Sequence, residues 1–338
     1  MVSSEFTRFV NTRRIVALLG MAVLVLFTAC SRRGPESERD AAENRYRVVT
    51  TIGMITDIVE RVAGDRAQVQ GLVSPGTDPH LYRPTRSDIA ALMNADIVFY
   101  NGLLLEGKMT DTLVRVASSG KPVHAVTELI DERELIEPEG YEGHADPHVW
   151  MDPLAWMKAV EVVRDALIAF DPGGADVYRL NAADVVAQIQ HVHDYAERVL
   201  ASVPESARIL ISAHDAFGYF GRRYGFEVVG IQGISTDSEA GVRHIESLVR
   251  MIVERDVGAV FVESTVAERN VEALVAGVRA RGKTVRIGGE LFSDAMGRRG
   301  TYEGTYVGMI DHNVSTIARA LGGVVPPGGA NGRLVAIP

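Results

Sequence analysis

Between Gly174 and Ser202 the chain (GADVYRLNAADVVAQIQHVHDYAERVLAS) has no proline and no internal glycine, and its apolar residues recur at three- and four-residue intervals. This pattern predicts one continuous helix. Roughly 28 residues at 1.5 Å each would span about 42 Å, long enough to run the length of two lobes as their single connection. On both sides of it, strand and helix signals alternate. Before it come strand-like Val48–Thr51, amphipathic Ile55–Ala63, strand-like Val69–Val73, a short helix at Arg86–Asn94 and the buried run Asp96–Tyr100. After it come a strand at Arg208–Ser212, a helix at Ala216–Tyr224, a strand at Glu227–Ile231, a helix at Ser238–Arg255 and a strand at Gly258–Glu263. A helix at Val271–Arg281 and a strand at Thr284–Ile287 follow. Such alternation indicates parallel sheets, and the same plan is used twice. The expected fold is α/β: two similar lobes, residues 46–173 and 203–321, each a parallel sheet flanked by helices, joined by a single linking helix at 174–202. A stiff strut of that kind permits less hinge closure than flexible multi-strand connections do. The Gly- and Pro-rich tail, 322–338, is expected to be disordered.

The N-terminus reads as a secretory signal peptide over residues 1–29. Arg8, Arg13 and Arg14 precede an uncharged apolar run from Ile15 to Phe27, then the small residues Thr28 and Ala29. The run is shorter than the ~20 residues of a comfortable bilayer span. Cys30 is the only cysteine, which excludes an internal disulfide, and it stands where a bacterial lipoprotein signal places its lipidated cysteine, with Phe27 where leucine is more usual. Residues 30–45 are therefore read as lipid anchor and tether, since Ser31–Asn44 holds no large apolar side chain. The alternative is a plain secreted protein cleaved near Ala29. The whole chain carries a formal charge of −9, and removing residues 1–30, with three arginines and one glutamate, makes it more acidic. That balance disfavours nucleic acid as a partner and suits a cation.

The chemistry-bearing signal is a repeated pentapeptide pattern: Asp78-Pro79-His80-Leu81-Tyr82 and Asp146-Pro147-His148-Val149-Trp150, in a chain with nine histidines. Proline fixes its own φ and pushes the preceding residue towards an extended conformation, so each imidazole sits on a stiffened turn. A rigid turn suits a metal ligand. In α/β sheets the binding crevice lies beyond the carboxyl ends of the strands. Four candidates stand there: His80, His148, His214 directly after the run RILIS, and Asp294 in GGELFSD. Two come from each half, which predicts one site in the cleft between lobes.

Taken together, TDPHLYRPTRSDI, DPHVWMDP, ISAHDAFGYFGRRYGFEVVGIQGIST, GGELFSDAMG and EGTYVGM resemble a known family over about Val48–Leu321. It is the metal-binding solute-binding lipoproteins of bacterial ABC importers for manganese, zinc or iron, and the likeness is strongest to its TroA-like members. The resemblance implies an extracytoplasmic or periplasmic, membrane-anchored receptor with lipid on Cys30. Such a receptor is monomeric and hands its cargo to an ABC permease powered by a cytoplasmic ATPase. It implies one ion per chain, Zn²⁺ or Mn²⁺ with Fe²⁺ as a further option, on His80, His148, His214 and Asp294. Members with glutamate at the third position are associated with manganese; histidine here leaves the metal open. The long His- and acid-rich insertion of many zinc-specific members, expected near His124 and His144, is missing. Three imidazoles and a carboxylate suit these borderline ions, and four protein ligands leave little room for a reactive water, so the expected role is carriage and not catalysis.

Other residues have plainer readings. Glu290 is the alternative carboxylate or a neighbour that orients a ligand. Asp78 and Asp146 either orient histidines or serve their turns. Asp215 reads as a helix N-terminal residue. His191, His193, His244 and His312 read as surface or helix-packing residues. A zinc-dependent hydrolase would want a His-Glu-x-x-His helix, which the sequence lacks. An adhesin with a structural metal would unfold when chelated.

Overall fold

The computed structural model describes residues 45–138, 141 and 143–334. The expected signal peptide, Cys30 and nearly all of the tether lie outside them. The first lobe is a four-stranded parallel sheet in the order β2-β1-β3-β4, from β1 (Tyr46–Thr50), β2 (Ala67–Gly71), β3 (Ile97–Tyr100) and β4 (Val123–Ala125). Val48 of β1 lies opposite Val69 on one side and Ile97 on the other. Parallel neighbours need crossovers, and these are α1 (Gly53–Ala63), α2 (Arg86–Asn94) and α3 (Thr110–Ser118). A reciprocal capping box starts α2: Thr85 Oγ1 accepts from Asp88 N, while Asp88 Oδ2 accepts from Thr85 N at 2.7 Å.

Two helices lead to the second lobe. The Asp152-Pro153 pair opens α4 (Pro153–Phe170) with an N-cap and an N1 proline. The helix α5 (Ala175–Ala201) is unbroken over 27 residues, about 40 Å, and buries Tyr178, Ala182, Val185, Ile189, Val192 and Ala196 along one stripe. The second lobe contains β5 (Ile209–His214), α6 (Gly218–Tyr224), β6 (Glu227–Gln232), α7 (Val242–Arg255), β7 (Ala259–Glu263), α8 (Arg269–Ala280), β8 (Arg286–Leu291) and α9 (Tyr306–Ala320). Its strands form two parallel pairs, β5–β6 and β7–β8, with β5 lying beside β7. Every residue of β5 and β7 is buried, as expected of parallel strands covered on both faces.

Two expectations are corrected. The strand expected at Thr284–Ile287 lies further on: β8 begins at Arg286 and runs through Gly288 and Gly289 to Leu291. The glycines are there because α9 lies close: a Cβ on Gly288 would come 2.7 Å from Ala320 Cβ, and one on Gly289 would come 2.6 Å from Thr316 Cγ2. A register shift between Val260 and Val262 accommodates them. The tail is also ordered as far as Leu334. Buried Asp311 of α9 accepts from Ala330 N at 2.9 and 3.0 Å, Asn331 Nδ2 donates to Tyr302 Oη at 2.8 Å, and Arg333 lies over the Tyr302 ring. Sequence composition could not reveal that a buried carboxylate waits to receive the tail's backbone.

The lobes share one dry core. A single apolar cluster runs from Val48 and Ile58 through Tyr178, Ile189 and Val199 to Phe261 and Ile317. On α5, Asn181 Nδ2 donates to Val62 O of the first lobe at 3.1 Å, and Tyr195 Oη meets Ser315 Oγ of the second at 2.8 Å. An aromatic wall of Trp150, Trp156 and Tyr306, all fully buried, closes the gap: Trp156 stacks on Tyr306, whose hydroxyl donates to Trp150 O at 2.7 Å. Opening this interface would wet the wall, so the lobes are expected to stay fixed when ligand binds. Small-angle scattering should give superimposable apo and metal-loaded profiles; a large domain rotation would contradict this.

Candidate metal centre

Each of the four candidates stands on a differently built support. His80 lies in the irregular segment between β2 and α2, where Asp78 Oδ1 accepts from His80 N at 2.8 Å in a local turn. The same turn recurs at His148, with Asp146 Oδ1 accepting from His148 N at 2.9 Å, but here that oxygen also takes the ring's Nδ1–H at 2.7 Å. His214 is the last residue of β5 and not, as expected, just beyond it. Its N–H donates to Glu263 Oε1 at 2.9 Å and its Nδ1 to Glu263 Oε2. Asp294 follows β8 in a segment pinned by α9, where Asn313 exchanges two hydrogen bonds with Phe292, and by Trp150 Nε1, which donates to Ser293 O at 2.8 Å.

These supports bring the four side chains to one point. His80 Nε2 lies 3.2 Å from His148 Nε2 and 3.5 Å from Asp294 Oδ2. Asp294 Oδ1 is 3.2 Å from His148 Nε2, and Oδ2 is 3.2 Å from His214 Nε2. All four offer a ligand atom within 4.8 Å of the others, and all four are buried. A tetrahedral ion with bonds of about 2.0–2.1 Å holds its ligand atoms about 3.3–3.4 Å apart, and these four contacts, at 3.2–3.5 Å, bracket that value. Among the described residues, neither oxygen of Asp294 nor His214 Nε2 has a hydrogen-bond partner. Buried polar atoms are rarely left so, and atoms that approach closely without hydrogen-bond geometry are aimed at a shared point between them. The set could hold one Zn²⁺, Mn²⁺ or Fe²⁺ ion.

The charges balance internally. Burial alone would lower the His148 pKa, but the carboxylates of Asp146 and Asp294 outweigh it and lift the imidazole to about 9. Burial likewise opposes the His214 imidazolium, yet Glu263 and Asp294 hold its pKa well above the ordinary value. Asp294 is driven well below the usual carboxylate range, its burial overcome by His214 and His148. His80 goes the other way, lowered to about 4 by burial despite the pull of Asp294.

Other sequence candidates lie elsewhere. Glu290 is exposed, within β8, and contributes its carbonyl to His312 Nε2 at 2.9 Å; a strand alternates its faces, and this one points away from the cluster. Asp215 caps nothing, because α6 begins three residues later at Gly218. His193 is buried against Tyr224 Oη, His124 stacks on Phe99, His244 reaches Gly230 O, and His191 is exposed. His144, also exposed, lines a 300 Å³ cavity with His80, Tyr141 and Asp237. The residue the sequence reading missed is Glu263. Its signal was present: a carboxylate ending the fully buried run AVFVE must have a partner.

The family model described as ZnuA, zinc-uptake complex component A, periplasmic, matches residues 48–320. The manganese-binding lipoprotein MntA of Bacillus subtilis is 42% identical over 304 residues, 89% of this chain and 99% of that protein. The metal ABC transporter substrate-binding lipoprotein FimA of Streptococcus parasanguinis is 30% identical over 316 residues, covering 91% and 99%. The structure of the periplasmic zinc-binding protein TroA from Treponema pallidum superposes with a TM-score of 0.80 at 45% identity, covering 82% of this chain and 99% of that one.

Proposed function

The chain belongs to the ZnuA family, and from that membership we propose that it is an extracytoplasmic receptor that captures one divalent first-row metal ion and delivers it to an ABC-type permease. The observation that carries this reading is the buried convergence of three imidazole Nε2 atoms and the Asp294 carboxylate, with His214 Nε2 and both carboxylate oxygens lacking hydrogen-bond partners among the described residues. His80, His148, His214 and Asp294 are the ligands; Asp146 and Glu263 fix two of the rings through Nδ1, so that Nε2 faces the ion.

The relatives' names carry manganese and zinc, and the donor set accommodates either. On this reading the protein is not an enzyme, because four buried protein ligands leave no open position for a reacting water. Among the described residues no helix is long and apolar enough to cross a membrane. We propose attachment through a lipid on Cys30, and translocation by the permease with its cytoplasmic ATPase. The receptor itself acts as a monomer.

Competitive titration of the chelator-stripped protein with Mn²⁺, Zn²⁺ and Fe²⁺ tests the reading. Tight binding of one ion per chain is expected, lost in His214→Ala. No binding by the parent, or equal binding by the variant, would refute it.

A further inference from the structure

The two Asp-Pro-His turns are alike in sequence but are wired differently. At Asp146 one carboxylate oxygen serves both the backbone and the ring of His148, and the other, lying near Gly218, has no partner among the described residues. This turn is also fastened to the second lobe by several independent bonds. Tyr219 Oη of α6 donates to Asp146 O at 2.8 Å and accepts from Ile136 N at 3.2 Å, and Arg223 holds Asp152 through two bonds of 2.9 and 2.7 Å. His148 therefore belongs mechanically with His214 and Asp294.

His80 does not. Asp78 touches only its backbone N–H, and among the described residues no carboxylate takes the ring's Nδ1. The second oxygen of Asp78 instead accepts a hydrogen bond from Thr236 Oγ1, across the cleft in the irregular segment between β6 and α7. That segment crosses to the first lobe: a side chain on Gly233 would meet Tyr141 Oη at 2.8 Å, and Lys108 Nζ pairs with Asp237 at 3.2 Å. The Lys108–Asp237 pair is exposed, and exposed pairs hold little. Thr236 makes the half-buried bond to a charged group, and bonds of that type are stronger.

Building on the metal-site reading above, we infer that Thr236 is a positioning residue that acts through Asp78 to keep the His80 turn closed over the ion, and so sets the rate of metal release. It touches no ligand atom. Its hydroxyl restrains the histidine whose ring, unlike those of His148 and His214, has no carboxylate on Nδ1 among the described residues, so losing it frees His80 to swing out while His148, His214 and Asp294 stay in place.

The test is release of Zn²⁺ from the loaded protein into excess chelator, followed by stopped flow. Thr236→Val keeps the shape and removes the hydroxyl; it should raise the release rate about tenfold or more, with the association rate unchanged and the metal-free protein still folded. Thr236→Ser should restore the parental rate. Asp78→Ala should also accelerate release, and adding Thr236→Val to it should change nothing further, because the bond is already gone. Lys108→Met should release at the parental rate. A parental rate in Thr236→Val, failure of serine to rescue, full additivity with Asp78→Ala, or equal acceleration in Lys108→Met would each overturn the inference while leaving the metal site intact. A parent protein that holds no Zn²⁺ would overturn the metal-site reading itself.

Discussion

Replacing Asp294 by alanine is expected to weaken metal binding by about 10²- to 10⁴-fold while the protein stays folded. Asp294 is the only carboxylate among the four convergent groups, and its two oxygens contact all three histidines at 3.2–3.5 Å. Removing one partner from a buried charged set costs about 3–5 kcal/mol, and each 1.4 kcal/mol is a factor of ten in affinity. The fold should survive because the supports of the histidines do not pass through this side chain: Asp146 and Glu263 still hold two rings, and Asn313 still pins the segment at Phe292. Glu263→Gln, which leaves every ligand atom in place, should cost only about 10–100-fold, the usual effect of loosening a ligand's orienting partner. Calorimetric titration of both variants, with circular dichroism of the metal-free proteins, checks the pair of outcomes. Asp294→Ala binding like its parent would move the carboxylate assignment elsewhere; Glu263→Gln weaker than Asp294→Ala would reverse the ranking of direct and indirect contacts.

The four residues that the fold brings together were legible because they carry short-range signatures. Two prolines stiffen the turns at His80 and His148, a buried strand ends at His214, and Asp294 follows a strand, the place where α/β folds put their binding groups. The linking helix was legible for a similar reason, since an uninterrupted three- and four-residue repeat has few other solutions. Failures came where the deciding partner is distant in sequence. Gly288 and Gly289 read as lying past the last strand until α9 is seen against them, and Glu290 loses its place as the alternative carboxylate once β8 continues through those glycines. Residues 326–334 read as a loose tail because their order depends on Asp311 and Tyr302. Glu263 belongs to the same class: a carboxylate at the end of an apolar strand advertises a partner, but not which one. Asp78 and Asp146 look interchangeable in sequence, and only the fold separates the oxygen that steadies a ring from the one that reaches across the cleft to Thr236.

Metal binding should strengthen about 100-fold for each unit of rising pH between roughly pH 5 and pH 8, and weaken about 10⁴-fold from pH 7 to pH 5. The sign follows from which form binds: a metal needs the Nε2 lone pair, so any proton held there must leave. In the metal-free site burial disfavours both imidazolium ions, but the carboxylates of Asp146 and Asp294 lift His148 to about 9, and Glu263 and Asp294 hold His214 well above its ordinary value. His80, lowered to about 4 mainly by burial, is already neutral over this range. Binding at neutral pH therefore expels two protons, and each proton expelled contributes a factor of ten per pH unit. Three imidazoles with ordinary values near 6.5 would behave differently, with almost no proton release above pH 7 and a slope of about three below pH 5.5. Calorimetric titration in buffers of different ionisation enthalpy counts the protons directly. Two released at pH 7.5 would mean that the carboxylates pre-load the empty site with protons which the metal displaces, so that acid favours release; none released would mean that the histidines stand neutral and the site waits charged by Asp294 alone.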